Sequence, residues 1–357
     1  MLFALPFLVA SSQVKAQALR ISIDTKSAEA VCNALAEKKK DTATLNALTR
    51  MYGNALLIQK VKGYSGAGDS VFVSTLKELI ATGNIQGDDP YNWKEVRAKL
   101  PQIRSLLLYI NTHKDSFVKQ VTALIQPYVP DTLHADARAV FLAGGGALGF
   151  TLGNDPSFNV AVQKIGDDVD GLMYLVAHEL YHTVQHAGQH TRHVVRDTSA
   201  PYAALASYYL LYNLWTEGTA TYVGDFNQIK KLKPFAAEQV AEYKKNRERN
   251  TQNFRLFEAL LYRQYYDTAA QYDDSYNIAF STAFDETGYY VGYEMAKKLV
   301  KYKGDSALAE LLVKDPIRFT SDYIALYKAH PDDDSFHRFG GATEEIVKAL
   351  MKWEGKL

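Results

Sequence analysis

Several things are scarce in this chain of 357 residues, and each scarcity removes a class of function. Cysteine occurs once, at Cys32, so no disulfide can close within the chain. Cys32 sits in "AEAVCNAL", an amphipathic helical pattern, where it reads as a small buried apolar side chain. Charge of one sign is not in excess, because lysine plus arginine and aspartate plus glutamate both number 40. Nucleic-acid binding needs a clustered basic surplus, so no nucleic-acid partner is expected. The brief runs "KKLK" at 230–233 and "KKNRER" at 244–249 read as solvated helix faces. Long apolar stretches are missing too. "LFALPFLVA" at 2–10 is too short to cross a bilayer as a helix, and no later apolar stretch approaches the length of a span, so no stable membrane span is expected. Internal repeats and low-complexity segments are also lacking.

The organisation is legible in what is present. The apolar run at 2–10 precedes small residues around Ala16, so 1–16 reads as a secretory signal peptide. An exported protein without disulfides suits a bacterial periplasm, or a secreted or cell-surface location. "QALRISID" at 17–24 alternates and predicts a short strand. From there to residue 130 the pattern is helical, with serine starts, glycine stops and a break near Pro101. Residues 131–357 form the second part. In it, 138–164 carries two or three short β-prone runs, and helix resumes after Gly171 and dominates from about 235. The predicted class is α+β, mostly α-helical, with a small mixed sheet ahead of one particular helix. "GGGALG" at 144–149 fits a dinucleotide-binding pattern by letter. A strand and turn follow it instead of a helix, so a tight bend is the better reading.

That helix holds the chemistry. "LVAHELYHTVQHAGQHTRH" at 175–193 contains five of the nine histidines. His178-Glu179-Leu180-Tyr181-His182 is H-E-x-x-H. Residues four apart share a helix face, so both imidazoles can reach one ion, and Glu179 projects beside it. With His178 at 0°, His182 falls at about 40° and Glu179 at about 100°, and Met173, Val176, Leu180 and Val184 lie on the opposite face. Gly188 is expected to end the helix, with His190 and His193 beyond it. His186 lies two turns from His178, about 12 Å along the axis, too far to share a zinc. A catalytic zinc needs one more protein ligand and one open position. Glu217, in "LYNLWTEGTATYVGDF", is the best candidate: a glutamate between Trp215 and Gly218 is costly to bury unpaired, and Gly218 allows another segment to approach closely. A solvent-facing or salt-bridged glutamate is the alternative.

"HELYH" followed by "WTEGTATY", with 34 residues between His182 and Glu217, resembles the gluzincin branch of zinc metallopeptidases. It looks closest to uncharacterised zinc-dependent peptidases of bacterial exported proteins, most strongly over 138–300. The resemblance implies one zinc per chain on His178, His182 and Glu217, with Glu179 as general base. It also implies a zincin-like catalytic domain over 131–357 and a peptide or protein substrate. Related enzymes place a tyrosine against the developing oxyanion; Tyr290 is the candidate, with Tyr289 next. Thr221 stands where thermolysin-like members carry an acid. The strand expected within 158–163 could pair with an extended substrate. A different class of function is a non-catalytic exported protein that binds zinc or copper through the 178–193 histidines.

Overall fold

The computed structural model describes residues 19–39, 41–152 and 155–357; the expected signal peptide lies outside them. Four strands make one sheet: β1 (Leu19–Asp24), β2 (Ala135–Leu142), β3 (Gly149–Phe150) and β4 (Ser157–Ala161), in the order β1-β2-β4-β3. β1 and β4 both run parallel to β2, and β3 closes antiparallel onto β4 at Asn159 and Val160. Everything else regular is helical, so the predicted α+β, mostly α class holds. Between β1 and β2 come α1 (Lys26–Ala36), α2 (Thr42–Thr49), α3 (Tyr52–Ser65), α4 (Asp69–Thr82), α5 (Trp93–Ala98), α6 (Leu100–Thr112) and α7 (Lys114–Ile125).

From Ala139 to Leu142, β2 is buried on both faces because helices cover both. Its side chains alternate in direction. Val140 and Leu142 face α3, where Gly53 is required: a Cβ there would sit 2.7 Å from Leu142 and 2.8 Å from Val140. Phe141 points the other way and meets Phe117 of α7 edge-on at 6.2 Å. The glycine run after β2 is a bend, as predicted. Gly144 and Gly145 have φ of 134° and 88°, and the chain passes into β3 without starting a helix. Gln163 accepts from the Gly144 amide and donates to the Gly145 carbonyl, at 3.1 and 2.9 Å. The loop's backbone groups are thus engaged by the protein itself.

After β4 the chain enters α8 (Val169–His190), followed by α9 (Tyr202–Val223), α10 (Pro234–Glu248), α11 (Asn250–Tyr266), α12 (Tyr272–Phe280) and α13 (Thr287–Lys303). α14 (Ser306–Leu312), α15 (Ile317–Ala329) and α16 (Gly341–Leu350) complete the fold. Buried Asp168 starts α8 by accepting from the Gly171 amide at 2.8 Å. Its other oxygen accepts from the Ala236 amide in the first turn of α10, also at 2.8 Å. One carboxylate therefore caps two helices, a contribution of about 1 kcal/mol for a single cap.

Two expectations are corrected. Gly188 does not end α8, which runs on to His190. Glycine is there because α14 packs against it, and a Cβ would lie 2.4 Å from the Leu312 carbonyl oxygen. The strand in 158–163 is not a free edge: β4 lies between β2 and β3. No sheet residue lines the cleft described below, so strand addition on β4 is not available to a substrate. Among the described residues, no helix is long and apolar enough to cross a membrane.

Candidate metal centre

α8 presents one face to the core through Leu172, Val176, Leu180 and Val184, all buried. His178, Glu179 and His182 lie half-buried on the other side, as the helical phase predicts. The facing element is α9, apolar on nearly every side, with Leu211, Leu214 and Trp215 fully buried. Glu217 is carried at that level. Its Oε2 lies 3.6 Å from Nε2 of His178 and 3.4 Å from Nε2 of His182, and the two imidazole nitrogens are 3.2 Å apart. Among the described residues these three form the sole cluster of three histidine, cysteine or carboxylate donors close enough to hold one ion.

The donors fit a zinc. Two imidazole nitrogens and a carboxylate oxygen are the ligand chemistry zinc takes, with a fourth position left open. Oε2 of Glu217 is buried and has no hydrogen-bond partner, a costly state unless a cation completes it. The protonation pattern agrees. Burial pushes the Glu217 carboxyl up, but the two imidazoles outweigh it and hold the group well below the usual carboxylate range. Burial likewise pushes the His182 imidazole down, but Glu217, Glu179 and a hydrogen bond to Gln185 raise it above the ordinary histidine value. A positive charge is wanted at this point, and protons supply it where a metal does not.

Backbone contact sets the spacing. Gly218 of α9 and Gly292 of α13 touch directly: a Cβ on Gly218 would lie 2.3 Å from Cα of Gly292. The close approach predicted for Gly218 is therefore made by another glycine. Gly224, just past α9, seats α8, because a Cβ there would come within 2.7 Å of Cβ of His178 and of the Tyr174 carbonyl oxygen.

Sequence comparison fits this geometry. The family described as "Putative zinc dependent peptidase (DUF5700)" matches residues 45–332, far more than half the chain. The chain belongs to that family. No curated protein and no solved structure shows significant similarity to it.

The rest of the centre was not apparent from the motif. Gln185, one turn after His182, takes the Nδ1–H of His182 on its Oε1 at 2.8 Å. Its own amide donates to the Thr216 carbonyl at 2.9 Å and to Oγ1 of Thr219 at 2.8 Å. Those two acceptors fix the amide's orientation, and the amide fixes the tautomer that leaves Nε2 of His182 facing Glu217. A cleft of about 190 Å³ opens beside the cluster, lined by His178, Glu179, Thr221, Glu286, Tyr289 and Tyr290 among others. Burial raises the Glu179 carboxyl above its usual value, and Glu217 adds to this against the two imidazoles. Tyr289 stacks parallel to His178 with ring centroids 6.3 Å apart. Tyr290 leans on Tyr243 instead, at 6.0 Å. Thr221 donates back to the Glu217 carbonyl at 2.8 Å and so serves α9 itself. Glu286 enters the cleft from a strained turn, with Asp285 and Glu286 both left-handed at φ 59° and 51°. Lys245 and Arg249 pair with Asp285, each at 2.7 Å. Among the described residues that line the cleft there is no lysine or arginine, while Glu179, Asp225 and Glu286 are present, a lining that suits a bound cation better than an anion.

Proposed function

We propose that the protein is an exported zinc peptidase that uses Glu179 as its general base. The observation that carries this reading is the convergence of His178, His182 and Glu217 beside a cleft into which Glu179 also points. Zinc held by those three residues would acidify water and polarise a peptide carbonyl. Glu179 accepts a proton from the attacking water as its oxygen bonds to the carbonyl carbon. Glu179 then delivers that proton to the amide nitrogen as the C–N bond breaks, giving a carboxylic acid and an amine; the acid's proton, the second from the water, passes to the amine, so the products leave as carboxylate and ammonium. The raised pKa of Glu179 suits a group that must both take and return a proton. Between the two tyrosines, we assign oxyanion donation to Tyr289, because it packs on His178 while Tyr290 packs on Tyr243. Export is supported by the apolar run and small residues of 1–16.

The metal-storage alternative has less support, since among the described residues the 178–193 histidines gather with a carboxylate only at Glu217. The test is zinc analysis combined with a peptide-library digest of wild type and Glu179→Gln. The expected result is one zinc in both proteins and cleavage by the wild type alone. Cleavage by the variant at the wild-type rate would remove Glu179 from the role assigned to it.

A further inference from the structure

The same helix carries a second histidine pair that the catalytic reading does not use. His186 and His190 are both exposed, and their Nε2 atoms lie 3.0 Å apart with the rings nearly perpendicular. That arrangement repeats His178 and His182, whose Nε2 atoms are 3.2 Å apart with rings at 86°. Nitrogens at this spacing on one helix turn can chelate a single cation from one side. Neither imidazole hydrogen-bonds to any other described residue, so no competing partner has to be displaced.

The turn that carries the pair is anchored rather than frayed. Gly188 packs on the Leu312 carbonyl, and the Gln189 amide donates to the Leu312 and Lys314 carbonyls at 2.9 and 3.1 Å. Gly188 lies on the opposite face of the helix from the two histidines, so α14 pins the turn from behind and leaves the nitrogens in solvent. The centres of the two pairs are eight residues apart, about 12 Å along the helix. An ion at the second pair is therefore separate from the first, and too distant to act with it on one scissile bond.

We propose that His186 and His190 form a second, exchangeable site for an imidazole-seeking divalent ion of the nickel, copper or zinc class. Two neutral nitrogens leave the remaining positions to water. Hard, oxygen-seeking ions such as magnesium and calcium are excluded by ligand type. The ion binds more weakly than at the three-donor centre because it lacks the charged third ligand.

The test is calorimetric titration of the zinc-loaded protein with Ni(II), with released zinc followed in parallel. Wild type is expected to take up one Ni(II) without releasing zinc. His186→Ala and His190→Ala should each weaken that uptake by about tenfold or more while retaining the first zinc. His178→Ala should lose tight zinc yet keep the Ni(II) site, which separates this proposal from the catalytic one. Absence of nickel uptake in wild type, or equal uptake in both alanine variants, would overturn it. Nickel binding that occurs only with zinc release would overturn it as well.

Discussion

The middle and the C-terminal end of α8 offer the same local chemistry in different surroundings. Both carry histidines four residues apart with nitrogens about 3 Å from each other. At the first pair, α9 brings in Glu217, the amide of Gln185 fixes one tautomer, and a cleft opens alongside. At the second pair no described residue brings in a third donor, and both rings are exposed. Spacing along a helix therefore creates a chelate. A charged third donor from another element, fixed second partners and a walled cleft are what can turn a chelate into a catalytic centre.

The contrast can be broken most sharply at Glu217. Glu217→Ala should leave two bare histidines like the distal pair, losing tight zinc and with it essentially all turnover, read by metal analysis and peptide cleavage. Glu179→Gln leaves the donor set intact, so turnover should fall by about 10²–10⁴-fold at unchanged zinc content. A smaller effect is expected from Gly218→Ala, whose new Cβ would sit 2.3 Å from Gly292; forcing α9 off α13 should cost about 1–3 kcal/mol in denaturant unfolding. Gln185→Leu should lower zinc affinity by about 10–100-fold in competitive chelation while the fold persists. The smallest change is expected at the distal end, where His190→Ala should leave zinc content and cleavage as in wild type.

The metal-free protein sharpens the comparison through pH. His182 is held above the usual histidine range, so at neutral pH it carries a proton that zinc must displace. Zinc binding should release that proton, detected as a dependence of binding enthalpy on the buffer's ionisation heat. In the apo protein a raised histidine pKa stabilises the fold fully below the unfolded value. That contribution is lost as pH rises through the folded value. Apo stability from this pair should thus fall on the alkaline side.

Much of the centre was legible because it depends on helical phase. The H-E-x-x-H spacing, the apolar stripe opposite it, and a costly glutamate beside a glycine in a second apolar helix are all properties of one segment at a time. What the chain did not disclose depends on which elements meet. Gln185 becomes a partner of His182 because Thr216 and Thr219 of α9 hold its amide, and position 185 alone does not announce that. Gly188 reads as a stop because glycine costs about 1 kcal/mol inside a helix, and only the contact with Leu312 explains its presence there. The choice between Tyr289 and Tyr290 turns on the phase of α13 against α8. The β4 segment has the alternating, branched composition of an edge strand, yet β3 covers it at Asn159 and Val160.

The meeting of Gly218 with Gly292 has a mechanical consequence. Tyr289 lies one turn before Gly292, and Glu217 is the immediate neighbour of Gly218. The tyrosine and the glutamate are therefore mounted on two rods welded main chain to main chain, with no cushion of side chains to slip. That joint cannot act as a hinge. The wall of the cleft made by residues 224–227 and α10 is not part of that joint.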